Sequence, residues 1–65
     1  MENEIKVGSV VYHRTGKIFK GPGTVTAIAR DTLLHVDCYT VLWQSLGETW
    51  DHYRSALVTL TEKEQ

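Results

Sequence analysis

One cysteine, one proline, one phenylalanine and one methionine are all that 65 residues hold of those four types. The lone Cys38 excludes an internal disulfide and fits a reducing compartment. The three histidines and the cysteine are spread along the chain without zinc spacing, so no metal is expected. No apolar run approaches the roughly 20 residues of a membrane helix, so no membrane partner is expected either. The acidic opening MENEIK lacks the apolar segment of a secretory signal, and a cytoplasmic location is the expectation. Covalent chemistry has no visible apparatus. Cys38 sits mid-strand as a small buried hydrophobe, Ser45 lies in a turn, and Ser55 is placed to cap a helical turn. Gly16, Gly21 and Gly23 match no phosphate-binding fingerprint and precede no helix, so no cofactor is expected.

These absences leave a stability problem. A chain this short hides only about 60% of its unfolded surface on folding. Ordering each residue costs on the order of 1.5 kcal/mol, close to what apolar burial returns at this size. With no disulfide or metal, the remaining solutions are a very local fold or self-association. The 42% hydrophobic and 23% charged composition is that of a globular domain rather than a disordered chain.

The net charge of −1 conceals an asymmetry. Residues 1–4 form an acidic tail with Glu2 and Glu4, and residues 61–65 a fraying tail with Glu62 and Glu64. Between Ile5 and Leu60 lie six Lys/Arg against four acids, a body of charge +2. That balance permits nucleic-acid binding without demanding it.

Turn residues divide the body into short runs rich in Val, Ile, Thr, Tyr and Trp, the signature of strands. The predicted strands are Ile5–Arg14 (with a turn or bulge at Gly8), Thr24–Arg30, His35–Trp43, Glu48–Tyr53 and Val58–Leu60. A loop rich in glycine spans Thr15–Gly23, and one of its apolar residues, Ile18 or Phe19, should close an end of the core. Gln44–Gly47 is a hairpin loop, and Arg54–Leu57 a single helical turn. The prediction is an all-β domain, a small five-stranded SH3-like barrel over residues 5–60 with one short helical turn before the last strand. Closing the sheet would remove its exposed edges.

Three segments together resemble the Tudor-like and KOW-like group of SH3-like barrels. They are Lys6-Val7-Gly8-Ser9-Val10-Val11-Tyr12-His13, Gly21-Pro22-Gly23-Thr24-Val25, and Tyr39-Thr40-Val41-Leu42-Trp43 followed by Gly47, His52 and Leu57. They match that group's "VG-x-x-V", "G-x-G-x-V" and "Y-x-V-x-W" patterns over about residues 6–60. The resemblance implies the barrel fold, a strand-four His52 beside Trp43, and a binding role without catalysis. A narrower resemblance joins Tyr39–Leu57 to the type II, plasmid-borne dihydrofolate reductases, small barrels that assemble as tetramers around a pore. Their fourth-strand Val-Gln-Ile-Tyr, preceded by Ser, stands here as Trp50, Asp51, His52 and Tyr53, preceded by Thr49, so only the Tyr is kept. Arg14 stands where that family has a basic residue near the end of the first strand. Asp51 replaces the Gln that holds both ligands, adding negative charge to a pore for an anionic cofactor.

The candidate binding residues fall into two overlapping sets. Tyr12, Phe19, Trp43, Trp50 and Tyr53, with Asp51 or Asp37 as the acid, form a candidate aromatic cage for a cation. The plainer reading places Trp43 in the core with Trp50 packed across the hairpin from it. The second set is a basic loop, with His13, Arg14, Lys17 and Lys20 flanking Ile18 and Phe19, which suits phosphate and base contacts. Strand alternation adds an interface. If Val11, Val25, Tyr39, Val41 and Trp43 point inward, then Val10, Tyr12, Ile28 and Leu42 form an outer apolar face that a partner or second copy would cover. The function expected is a non-enzymatic binding module for a protein or nucleic acid, self-associating. The alternative is a homo-oligomeric ligand-binding pore or reductase.

Overall fold

A computed structural model describes residues 4–60. Both tail expectations therefore fall largely outside the described residues. Five strands follow in order: β1 (Val10–His13), β2 (Gly23–Asp31), β3 (Val36–Trp43), β4 (Glu48–Tyr53) and β5 (Leu57–Thr59). A 3-10 turn, Arg54–Ala56, stands before β5. All neighbours are antiparallel, in the order β4-β3-β2-β1-β5. This is the all-β, five-stranded arrangement expected, with its one helical turn where predicted. The hydrogen-bonded ladder does not close, however. β4 and β5 are the two edges and do not pair, so the expected removal of edges is incomplete.

Boundaries moved for identifiable reasons. The first predicted strand shortens to β1 because Lys6 to Ser9 turns instead. The Ser9 N–H donates to the Lys6 carbonyl at 3.0 Å, and the Lys6 N–H to Ser9 Oγ at 2.9 Å. Gly8, at φ +94°, supplies the turn's left-handed residue, and its N–H reaches the Val25 carbonyl at 2.7 Å. The turn folds Ile5 back onto the core, where it is buried. The last strand begins at Leu57 rather than Val58, so Leu57 is a fully buried strand residue. The 3-10 turn has no side-chain cap. Instead the Ser55 carbonyl accepts from Arg14 Nε at 2.7 Å, and the Ala56 carbonyl from the Arg14 N–H at 2.8 Å. His35 leaves the third strand and sits in the turn at φ +56°.

The core consists of Ile5, Val11, Val25, Tyr39, Val41, Trp43 and Leu57, with Phe19 packed against it. The inward parity set expected from the sequence is all there. Phe19 is the loop residue that closes the core, while Ile18 is 70% exposed. Register explains the faces, since paired residues of antiparallel strands share one face. Val25 pairs with Val41 inside, and Val10, Thr24, Leu42 and Thr49 line up across four strands outside.

A bulge between Val25 and Ala27 reverses the parity of β2. Beyond it Ile28 pairs with Tyr39 and shares that residue's inward face, at 37% exposure. Ile28 therefore does not belong with Val10 and Leu42, and the expected four-residue face loses it. Cys38 also departs from expectation. It is half-buried on the outer face of β3, opposite Tyr53.

Gly23 shows why one glycine is required. It is buried in β2, and a Cβ there would lie 2.5 Å from Val41 Cγ1 and 2.7 Å from Trp43 Cε3. Its missing side chain is the space that the indole occupies. Gly23→Ala is expected to cost about 1–3 kcal/mol by overpacking. Gly21→Ala would meet open space but a positive φ, and should cost less. Urea midpoints of the two variants check the order.

Candidate functional site: an aromatic and histidine cluster at the loop mouth

The inner side of β4 and the loop from Arg14 to Pro22 meet over the end of the core. Trp43 is fully buried there. Its indole N–H donates to His52 Nε2 at 3.1 Å, and the two rings stand edge to face at 5.5 Å. Phe19 reaches in from the loop and touches four rings: His13 at 5.0 Å, Trp43 at 5.2 Å, His52 at 4.7 Å and Trp50 at 5.5 Å between centroids. His13 and His52 face each other at 5.2 Å.

β-strand alternation selects these members. On β4, Glu48, Trp50 and His52 pair with Trp43, Val41 and Tyr39, so they share the core-facing side. On β1, His13 has the parity of Val11. Being at the sheet's edge, Trp50 remains 48% exposed, and its indole N–H donates to Glu48 Oε1 at 3.2 Å. His52 beside Trp43 is as the sequence resemblance implied. Trp50 is not across the hairpin from Trp43. It pairs with Val41 and meets Phe19 instead.

The candidate cage is thus only partly assembled. Phe19, Trp43 and Trp50 come together, but Trp43 is covered and the Phe19 and Trp50 rings fill the space against each other. Tyr12 pairs with Val58 and Tyr53 with Cys38, both on the opposite side of the sheet. Asp51 is on that outer side too, and accepts the Thr40 hydroxyl at 2.7 Å. Asp37 is in a 3.4 Å ion pair with Arg30. Cys38, Asp51, His52 and Tyr53 border a shallow depression of about 210 Å³.

The basic loop is built as expected around one anchored ring. Arg14 is tied to the 3-10 turn, Lys17 and Lys20 are exposed, and the Lys20 carbonyl accepts the Ser45 hydroxyl at 2.8 Å. No acid interrupts Arg14 to Lys20. The sequence reasoning did not place His13 in the cluster. Its signal was its shared parity with Val11 beside the loop that carries Phe19.

Both histidines hold defined tautomers. His13 Nδ1 accepts the Thr15 N–H at 3.2 Å and lies 3.0 Å from the Thr15 hydroxyl. In the neutral ring its proton is therefore on Nε2. His52 accepts at Nε2, so its proton is on Nδ1. The His52 pKa is lowered from its ordinary value, first by burial, then by His13 opposite, with Asp51 acting the other way. Among the described residues no group of three or more His, Cys, Asp or Glu is arranged to hold a metal, and no helix is long and apolar enough to cross a membrane. Compared with protein-family models, curated proteins and solved structures, the chain matches none.

A pH dependence follows from His52. The unfolded ring titrates near 6.5 and the native ring lower, so below about 6.5 the unfolded chain binds more protons. Stability is full above that pH and falls as pH drops toward the native value. Urea midpoints are expected to decrease from pH 7.5 to pH 5. In His52→Gln that decrease should shrink. An equal decrease in the variant would remove His52 as its source.

Proposed function

We propose that the chain is a non-enzymatic binding module that docks on protein surfaces, a second copy of itself first among them. One observation carries this reading. Twelve large hydrophobic residues are exposed, against seven in the core, among the described residues. Scattered exposed apolar groups are ordinary, but a domain this small that leaves more outside than inside points to a covered surface. The row Val10–Thr24–Leu42–Thr49 runs across four strands of that surface, and Tyr12 and Val58 extend it along β1 and β5. Its side chains are aliphatic or hydroxyl, with no charge to desolvate on contact.

A second reading has its own observation. Lys17 and Lys20 project from an acid-free loop whose flank carries the half-exposed Trp50. Cations for phosphates beside a ring for base stacking are the elements of a single-strand nucleic-acid site, although so few cations give only a modest salt-dependent affinity. The reductase alternative draws support from Tyr53, Arg14 and the strand layout, and Asp51 on the outer face adds charge unfavourable to an anionic cofactor.

Light scattering separates these readings. For the first, the mass should be at least twice the 7.4 kDa of one chain and should return to one chain in Leu42→Glu. A monomeric wild type at 100 μM or so would sink self-association. For the second, a labelled single-stranded oligonucleotide should quench Trp fluorescence at low salt, and Lys17→Gln with Lys20→Gln should abolish the quenching. Titration with NADPH tests the third, and an unchanged spectrum removes it.

A further inference from the structure

β4 is an open edge of the sheet, and β3 alone pairs with it. Beyond that ladder, no backbone hydrogen bond among the described residues involves residues 48–52. The strand is also the only one of the five without a buried residue. A strand so placed presents a row of N–H and C=O groups to any extended chain that reaches it.

Most edges are blunted by shortness, proline, lysine or a bulge. β5, the other edge, is three residues long. β4 runs for six, holds no proline or lysine, and keeps an unbroken register with β3 from Glu48 to Tyr53. What guards it is negative charge. Glu48 and Asp51 are both exposed, and neither is in an ion pair among the described residues. Each accepts a neutral donor, Glu48 the Trp50 indole N–H at 3.2 Å and Asp51 the Thr40 hydroxyl at 2.7 Å, so both charges stay uncompensated. This guard is selective. A second β4 laid alongside would put four carboxylates on one ladder, and like charges across a ladder are destabilising. A nucleic acid would meet the same repulsion. A cationic strand would be attracted.

The side chains sharpen the match. Strand alternation sends Glu48 and Trp50 to one face and Asp51 and Tyr53 to the other. Each face of the edge therefore offers one carboxylate and one ring, and both rings are 48% exposed. A carboxylate beside an aromatic ring attracts a Lys or Arg head both by charge and by the ring's quadrupole. On the outer side, Asp51 and Tyr53 also border the depression of about 210 Å³, which gives a long basic side chain room to lie. Successive side chains of an added strand point to alternate faces, so two adjacent basic residues would serve both faces at once.

We propose that β4 accepts an extended basic segment of a partner protein as an added strand. Backbone hydrogen bonds would run along the edge, with adjacent Lys or Arg side chains against Glu48 and Trp50 on one face and Asp51 and Tyr53 on the other. The site uses neither the outer row at Val10 and Leu42 nor a second copy, so it stands if the protein proves monomeric.

The test follows amide shifts and hydrogen exchange of the ¹⁵N-labelled protein. Three probes are used at constant ionic strength. One is a capped hexapeptide with arginine and lysine adjacent at its centre and valine and threonine around them. The second has glutamine in place of both bases, and the third is the basic peptide N-methylated at its central amides. The basic peptide should shift Glu48–Tyr53 saturably and slow exchange at every second amide of β4, because alternate N–H groups face outward. The glutamine and N-methylated peptides should each bind about tenfold more weakly. Glu48→Gln and Asp51→Asn, both at exposed side chains, should each weaken the basic peptide about two- to fivefold. Lys17→Gln should not weaken it. β4 amides that neither shift nor slow at millimolar peptide, equal binding of either control peptide, or full affinity in both carboxylate variants would each overturn the proposal. Exchange in β4 that slows with protein concentration alone would also overturn it, by giving the edge to a second copy.

Discussion

Trp43 sets the terms for the rest of the molecule. Its ring is fully buried and its one polar atom must be satisfied inside, because an orphaned indole N–H in the core would cost about 1–3 kcal/mol. His52 Nε2 on the neighbouring strand answers that need at 3.1 Å. The ring's bulk must also go somewhere, and Gly23 on the other side provides the volume. The indole therefore ties β2, β3 and β4 together, by absence on one flank and by a hydrogen bond on the other. Phe19 then closes the open end of the same ring at 5.2 Å, which fixes where the long loop lies. A domain whose β1–β2 ladder pairs only two residues relies on such a hub more than on its sheet edges.

That dependence couples structure to protonation. His52 can hold Trp43 only while Nε2 is unprotonated, and protonating it converts the acceptor into a donor facing a donor. The same ring touches Phe19 at 4.7 Å and faces His13 at 5.2 Å. A charge on His52 would thus disturb the loop anchor and the core in one step, whereas the exposed lysines beyond the anchor would be untouched. The ring whose pKa burial lowers therefore stands where the loop is attached.

Much of this was legible in the sequence, and the misses have physical causes. Alternation identified Val11, Val25, Tyr39, Val41 and Trp43 as inward, and the ends of β4 matched the predicted strand. The Thr26 bulge was invisible, because a threonine within a run of strand formers has no distinguishing side chain, and it moved Ile28 to the other face. Trp50 and Tyr53 are three apart on one strand and so must point to opposite sides, as must Val11 and Tyr12. Gly23 looked like turn punctuation beside Pro22. Only the facing indole shows that it is a packing residue.

A five-stranded sheet that left its ladder open still satisfies its largest side chain, so the interior is not where this chain falls short. What it lacks is interior volume for its remaining apolar residues, and period-two alternation sends every second one outward. That outer parity mixes Thr24, Thr49 and Asp51 with Val10, Tyr12 and Leu42, and Leu33 is left 89% exposed on a turn whose N–H groups a carboxylate accepts. Apolar groups held out on a rigid frame lose little conformational freedom on being covered, which lowers the cost of association. The economy that makes the core small is the same one that leaves these apolar groups on the surface.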